Sequence, residues 1–144
     1  MRKDWRKGIK KAYDEEWGLF VAYCYAETVC SVSLPELSDA LGEIARQALN
    51  RVGIIGRMLL ESGGDVRRKR ELEEERVTVR QDGSLSARSA EYLVRRLCAR
   101  ERRVSEISRD LAEKTDRAAW LYGLSQISES HDQSLQRLEP YLAS

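Results

Sequence analysis

Apolar residues recur at every third or fourth position along four long segments of the chain, which is the spacing of one face of an α-helix. Only two of the 144 residues are proline, so few positions are barred from a helix interior. A chain of this length is typical of one domain. The pattern therefore predicts an all-α protein in which residues 1–144 form a single domain.

The second of these segments has the clearest helix boundaries. Residues 33–36, Ser-Leu-Pro-Glu, form a capping-box sequence, in which Ser33 caps the first turn and Glu36 reaches back to the serine amide. The pair Gly63-Gly64 predicts the end of the helix, because glycine adopts left-handed backbone angles readily. The stripe between these limits is apolar except at Arg51, and it consists of Leu37, Leu41, Ile44, Ala48, Arg51, Ile55 and Met58.

The other three segments have less distinct ends. The first predicted helix runs from about Asp4 to Cys30, and the third runs from about Ser86 to Lys114. The fourth begins near Thr115 or Asp116, and both residues are common helix caps. Polar residues occur on the inward stripes of the last two helices, and they include Glu101, Ser128 and His131.

A charged connection separates the second and third helices. Residues 65–85 carry little that could be buried, and Asp82-Gly83 predicts a turn near their end. The sequence RVTVR at residues 76–80 leaves a short β-ribbon open as an alternative to a solvated crossover. Two closely joined helices, one long crossover and two more closely joined helices predict a four-helix bundle.

Composition argues against several classes of partner. The net charge is +1, which provides no overall field for nucleic acid or a membrane surface. No stretch approaches the roughly 18 apolar residues of a membrane-spanning helix. Three cysteines without a CxxC motif, and a basic N-terminus without the apolar core of a signal peptide, indicate a cytoplasmic protein.

Two basic clusters leave a nucleic-acid-binding module as a distant alternative. Residues 67–70 are all basic, but the acidic residues that follow, Glu71 and residues 73–75, cancel most of that charge. The third helix has a second cluster, which we interpret as its solvated face, and its members are Arg95, Arg96, Arg100, Arg102 and Arg103. Nucleic acid is therefore an unlikely partner.

The second segment also carries a family resemblance. Its sequence over residues 35–66, PELSDALGEIARQALNRVGIIGRMLLESGGDV, resembles the second helix of ferritin-like di-iron and di-manganese proteins, especially the rubrerythrin, spore-coat and manganese-catalase-like branch. The other helices are similar more weakly. The matching residues are Pro35, Glu36, Leu37, Ala40, Leu41, Glu43, Ile44, Ala45, Ile55, Gly56, Leu59, Glu61, Gly63, Gly64 and Asp65.

The resemblance implies a ferritin-like bundle with its long crossover between helices 2 and 3. In that family, two helices each provide one glutamate and the other two each provide a Glu-x-x-His pair. Transferred to this chain, the six ligand positions are Glu16, Ala48, Arg51, Glu101, Ser128 and His131. A slip of one residue in the fourth helix would offer Glu129 and Asp132 instead of the last two.

The transferred positions indicate a degenerate metal site. Only Glu16, Glu101 and His131 keep a ligand type, and the cation of Arg51 would repel metal ions. We therefore expect no metal and no cofactor, with Arg51 buried between the two glutamates. The alternatives left open are an Arg51 that extends to solvent, and iron, manganese or zinc on the three remaining ligands.

The function that follows from this degenerate site is non-catalytic. We expect a structural or partner-binding protein that self-associates, most simply as a dimer, or that binds an unidentified protein. The competing prediction is a ferritin-like metalloprotein, an oxidoreductase or a metal-storage protein, with a reduced ligand set.

Overall fold

The computed structural model describes residues 3–67 and 76–142 and contains four long helices. A short 3-10 helix follows the last of them. The all-α prediction is confirmed, since these two ranges contain no strand and residues 76–80 form no ribbon. The charged residues 68–75 lie outside the described part of the chain. The helices are α1 (Lys3–Cys30), α2 (Pro35–Glu61), α3 (Ala87–Lys114) and α4 (Ala118–Leu138), and the 3-10 helix is Glu139–Tyr141.

The four helices pack as a square bundle. Helices α1 and α4 each contact both α2 and α3, so α1 lies diagonally across from α4. The rings of Trp5 and Trp120 stack with centroids 4.3 Å apart, so the first turns of α1 and α4 meet at one end. At the other end, an ion pair joins Arg137 at the end of α4 to Glu43 near the start of α2.

Two apolar clusters fill the interior, and a polar level separates them. One cluster contains Leu41, Leu97 and other residues at the end where α2 and α3 begin. The other contains Ile55, Leu124 and other residues at the end where α1 and α4 begin. A row of buried charged side chains crosses the bundle at the intervening level.

The boundaries of α2 agree with the sequence prediction at one end only. The helix ends as predicted, with Gly63 at a φ of +81° and its amide bonded to the carbonyl of Leu60. The predicted capping box is wrong, because the N-cap residue is Leu34 and no side chain caps the first turn. The hydroxyl of Ser33 accepts instead from the amide of Leu85, 3.1 Å away, at the end of the long connection.

The predicted start of α4 is also wrong by about two residues. The helix begins at Ala118, and its N-cap residue is Arg117. Thr115 is the C-cap of α3, because its amide bonds to the carbonyl of Leu111. Its hydroxyl accepts from the amide of Arg117, 3.3 Å away, so Thr115 stabilises the turn between the helices rather than the first turn of α4.

The connection from α2 to α3 contacts α1 at two widely spaced tyrosines. Tyr13 donates to the carbonyl of Val66 at 2.7 Å, and the Tyr25 hydroxyl accepts from the amide of Val77 at 3.0 Å. The predicted turn at Asp82-Gly83 is confirmed by the φ of +85° at Gly83. The described ends of the connection are therefore attached to α1 by hydrogen bonds.

Surface features follow the sequence analysis in most respects. Across the two described ranges, no helix combines the length and apolar character that a membrane span requires. The predicted solvated face of α3 is correct for four of its arginines and wrong for Arg100, which is buried beside the inward-facing Glu101. The thiols of Cys24, Cys30 and Cys98 are free.

Candidate functional site

The polar level at the centre of the bundle is made by one charged residue from each helix. Glu16 comes from α1, Arg51 from α2, Glu101 from α3 and His131 from α4. None of the four has any solvent-exposed surface. We call these four residues the ionic cluster. A charged group withdrawn from water is strongly destabilising unless it is paired, so the contacts within the cluster determine whether the bundle can form.

The guanidinium of Arg51 joins three helices. Its Nε atom donates to Oε1 of Glu16 at 3.0 Å, and Nη2 donates to Oε2 of Glu101 at 3.1 Å. Its third nitrogen, Nη1, donates to the hydroxyls of Ser130 at 2.9 Å and Ser134 at 3.4 Å. Arg51 is thus buried and paired with both glutamates, and the alternative in which it extends to solvent is wrong.

Both ring nitrogens of His131 face carboxylates. Nε2 lies 2.9 Å from Oε2 of Glu16, and Nδ1 is hydrogen-bonded to Oε2 of Glu101. A neutral imidazole has a single N–H, so two such hydrogen bonds require one additional proton within the three groups. With that proton on the imidazole, the two positive charges of His131 and Arg51 balance the two carboxylates.

The pKa of His131 is consistent with this charge balance. Burial lowers the pKa of the imidazole, but hydrogen bonds to Glu101 and Glu16 outweigh burial and raise it above its ordinary value. Burial likewise lowers the pKa of Arg51, and the same two carboxylates raise it overall. Both side chains are therefore held in their charged forms by the glutamates that they contact.

Tyr23 completes the coordination of Glu101. Tyr23 lies on α1, two helical turns after Glu16. Its hydroxyl donates to Oε1 of Glu101 at 2.5 Å. Burial and the negative charge of Glu101 raise the pKa of Tyr23 well above its ordinary value. The tyrosine consequently remains a neutral donor, and both oxygens of Glu101 are used by buried partners.

The structure separates the six ligand positions implied by the resemblance into two groups. Four of them form the ionic cluster, whereas the small residues in α2 and α4 do not reach it. Ala48 is buried one turn from Arg51 and belongs to the apolar cluster. Ser128 is half-buried, and the hydroxyls that accept from Arg51 are those of Ser130 and Ser134.

The alternative register of α4 is excluded. Glu129 and Asp132 are both exposed, and Asp132 forms a surface ion pair with Arg109 on α3. His131 is the residue that points inward.

Sequence analysis missed three polar contributors to the site, namely Tyr23, Ser130 and Ser134. Tyr23 carried a signal, because it lies seven residues after Glu16 and hence on the same helix face. Ser134 lies three residues after His131, which is also one helix face, and its hydroxyl donates to Gln47 at 3.2 Å. Nothing in the sequence distinguishes Ser130 from Ser125, the exposed serine of α4.

The donor set does not fit a metal ion. The carboxylate oxygens accept from Arg51, His131 and Tyr23, so their lone pairs point at N–H and O–H donors. A cation at the centre would also face the guanidinium. Within residues 3–67 and 76–142, no three histidine, cysteine, aspartate or glutamate side chains are arranged to hold an ion.

Comparisons with known proteins assign no family to the chain. No protein-family model matches it, and no curated protein or solved structure does so either. The resemblance of α2 to ferritin-like proteins therefore stays a hypothesis.

Proposed function

We propose that this protein is a non-catalytic structural or partner-binding bundle of the ferritin-like kind, whose di-metal centre is replaced by the ionic cluster. The observation that carries the proposal is the position of Arg51, fully buried and paired with Glu16 on one side and Glu101 on the other. A guanidinium in this place supplies positive charge at the level where the resemblance implies metal ions.

The bundle topology supports the ferritin-like part of this proposal. The connection between α2 and α3 bonds to α1 near Tyr13, and again near Tyr25 about three turns further along. Its last described contact is with Ser33, in the turn between α1 and α2. Helices α2 and α3 are parallel and lie diagonally across from each other, so the chain that joins them must run along the length of the bundle.

The closed geometry of the ionic cluster supports a non-catalytic role. Each carboxylate oxygen of Glu16 and Glu101 accepts at least one hydrogen bond from within the protein. All four charged groups are withdrawn from solvent. A reacting molecule would have to enter the sealed interior and displace paired charges, so we assign the cluster the task of holding four helices in register.

The proposal includes self-association as a dimer, or binding of an unidentified protein, as the role of the bundle. It also places the protein in the cytoplasm, which the free thiols of Cys24, Cys30 and Cys98 support, because reduced cysteines are typical of that compartment.

A metalloprotein is the second candidate, and the convergence of Glu16, Glu101 and His131 favours it. These residues could hold iron, manganese or zinc only if His131 lost its ring protons and Arg51 moved away from both carboxylates. Two carboxylates and one imidazole would otherwise suit several divalent metals.

Elemental analysis separates the two candidates. Protein purified without chelator from medium containing iron, manganese and zinc should carry less than stoichiometric metal. The matched variant combines Ala48→Glu with Arg51→His, which restores the Glu-x-x-His pair on α2, and it should gain metal. Stoichiometric metal in the natural protein would overturn the non-catalytic proposal. Failure of the double variant to bind metal would contradict the ferritin-like origin.

A further inference from the structure

The first turns of α1 carry positive charges that the rest of the bundle does not neutralise. Arg6, Lys7 and Lys11 are exposed, and none of them forms an ion pair with a residue that the structure describes. Arg6 lies in the first turn, at the positive end of the helix dipole. Lys7 and Lys11 are one turn apart, where like charges repel each other. Charges that destabilise their own helix are explained by a partner that neutralises them.

A groove lies beside these cations, between α1 and the end of α2. It encloses about 360 Å³, and its surface is almost wholly apolar. Its lining residues are Arg6, Lys7, Lys10, Leu59, Gly64 and Asp65. Because three of these are long cationic side chains, their carbon stems form its walls and their charged ends lie outside its apolar surface. A groove of this kind accepts an apolar group and places anionic groups at its edge.

The end of α2 contributes backbone and apolar side chains to this region. The backbone angles of Gly64 are not left-handed, so they do not require a glycine. A side chain at this position would instead overlap the side chain of Leu59, so the glycine leaves that part of the groove unfilled. Leu60, in the same last turn of α2, is 60% exposed and adds further apolar surface.

Two of the charged residues that line the groove are already paired within the chain. Lys10 forms an ion pair with Asp14 at 3.2 Å and also donates to the carbonyl of Arg67. Both carboxylate oxygens of Asp65 accept from Arg67. The charges left for a partner at this surface are therefore all positive.

We propose that this surface of α1 binds an acidic segment of a partner protein. Arg6, Lys7 and Lys11 pair with carboxylates of the segment, and one of its apolar side chains fills the groove. The inference deepens the proposed function, on which it rests, by giving the chemistry of the partner and the surface that receives it.

Nucleic acid matches this surface less well than a polypeptide does. Its affinity comes from phosphates contacted along a stretch of backbone, whereas the three free cations lie within two turns of one helix. The outer edge of a duplex carries sugars and phosphates, which offer no apolar group for the groove. A polypeptide presents carboxylates and an apolar side chain within a few residues, so it satisfies both features.

Fluorescence anisotropy with labelled peptides tests the surface. The first peptide has one phenylalanine between runs of glutamate, and the second has serine in place of the phenylalanine. The natural chain should bind the first peptide saturably and the second at least about tenfold more weakly, because only phenylalanine buries apolar area in the groove. Binding of the first peptide should weaken as salt is added, because salt screens exposed charges.

Charge reversal identifies the residues that bind. Lys7→Glu combined with Lys11→Glu should weaken binding of the phenylalanine peptide by at least about tenfold, because two attractive contacts become repulsive. The matched control combines Arg88→Glu with Arg102→Glu, which makes the same change in net charge at exposed positions of α3. The control should bind the peptide as the natural chain does. Circular dichroism checks that both double variants fold.

Three results would overturn the inference. The first is a natural chain that does not bind the phenylalanine peptide saturably, or that binds the serine peptide equally well. The second is an equal loss of binding in the two double variants, which would reflect net charge rather than this surface. The third is a DNA duplex that binds more tightly than the peptide and is released by Lys7→Glu with Lys11→Glu, which would assign the surface to nucleic acid.

Failure of this inference and failure of the proposed function give different results. A metal-free protein that binds neither peptide loses this surface as a binding site and keeps its structural role. Stoichiometric metal overturns the non-catalytic proposal, whereas peptide binding that depends on Lys7 and Lys11 would still stand.

Discussion

Single residues at the centre of the bundle pose the main energetic question, which is how four ionisable groups remain stable without water. Each ion of the cluster loses its hydration, and only pairing with the others offsets that loss. Arg51 contributes the positive charge that is independent of pH, and His131 contributes the one that titrates. The two residues therefore have different predicted consequences.

Replacing Arg51 tests the pairing directly. The variant Arg51→Met keeps a similar side-chain length and leaves Glu16 and Glu101 buried with too little positive charge. We expect the free energy of unfolding in urea to fall by about 3–5 kcal/mol. Arg57→Met on the same helix is the control, because Arg57 is exposed and its loss should change stability little. An unchanged urea midpoint for Arg51→Met would contradict the buried pairing.

The raised pKa of His131 predicts a stability that declines towards alkaline pH. A group whose pKa is higher in the folded protein stabilises fully below its unfolded pKa, about 6.5 for histidine. That contribution is lost as pH rises through the folded-state pKa of His131. We expect the free energy of unfolding to decrease as the pH rises from about 6.5 through the raised folded-state pKa of His131. His131→Gln should be less stable and should lack this slope; a variant with the same slope would assign it to another group.

At the scale of the helix, α2 contains two glycines with opposite roles. Gly63 has a φ of +81° and ends the helix, so a side chain there would be strained. Gly53 has ordinary helical angles and open space in front of it. The same substitution should therefore change stability in opposite directions.

Alanine at each glycine measures this difference. Gly63→Ala should lower the free energy of unfolding by about 1–2 kcal/mol, because alanine does not readily adopt left-handed angles. Gly53→Ala should raise it by about 0.5–1 kcal/mol, because alanine restricts the unfolded chain and favours the helix. Thermal unfolding of both variants at one low protein concentration compares the two. Equal signs would show that the backbone argument fails at one of them.

At the scale of the whole molecule, the ionic cluster joins all four helices at one level between two apolar clusters. Its hydrogen bonds specify which residues of the four helices lie opposite one another. Register, rather than a large net stabilisation, is the contribution expected of such a buried network.

Replacing the whole ionic cluster and Tyr23 by apolar side chains tests whether the network adds stability or only sets the register of the helices. We expect the variant combining Glu16→Leu, Arg51→Met, Glu101→Leu, His131→Leu and Tyr23→Phe to be more stable in urea than Arg51→Met alone. Its stability should equal that of the natural chain or exceed it by about 1–4 kcal/mol, because no buried charge remains. A combined variant less stable than Arg51→Met would mean that the network stabilises the bundle beyond its charge balance.

Much of this structure could be predicted because it depends on residues close together in the chain. The helical periods, the stop at Gly63 and the turn at Gly83 are local consequences of side-chain spacing and backbone freedom. The caps at Ser33 and Thr115 could not be predicted in the same way. Each has a sequence that suits a helix start, but Ser33 bonds to a residue 52 positions away. The Ser33 hydroxyl therefore accepts from the amide of Leu85 and does not cap the first turn of α2.

The centre of the bundle shows the same division between sequence and tertiary structure. The sequence by itself determined that Arg51 lies on the inward stripe of α2, because helical periodicity assigns residues to faces. Only the tertiary structure decided that its charge is matched by Glu16 and Glu101 and that Ser130 and Ser134 accept its remaining hydrogen bonds. Periodicity assigns a residue to a side of its own helix, whereas distances between atoms of different helices depend on how the helices pack.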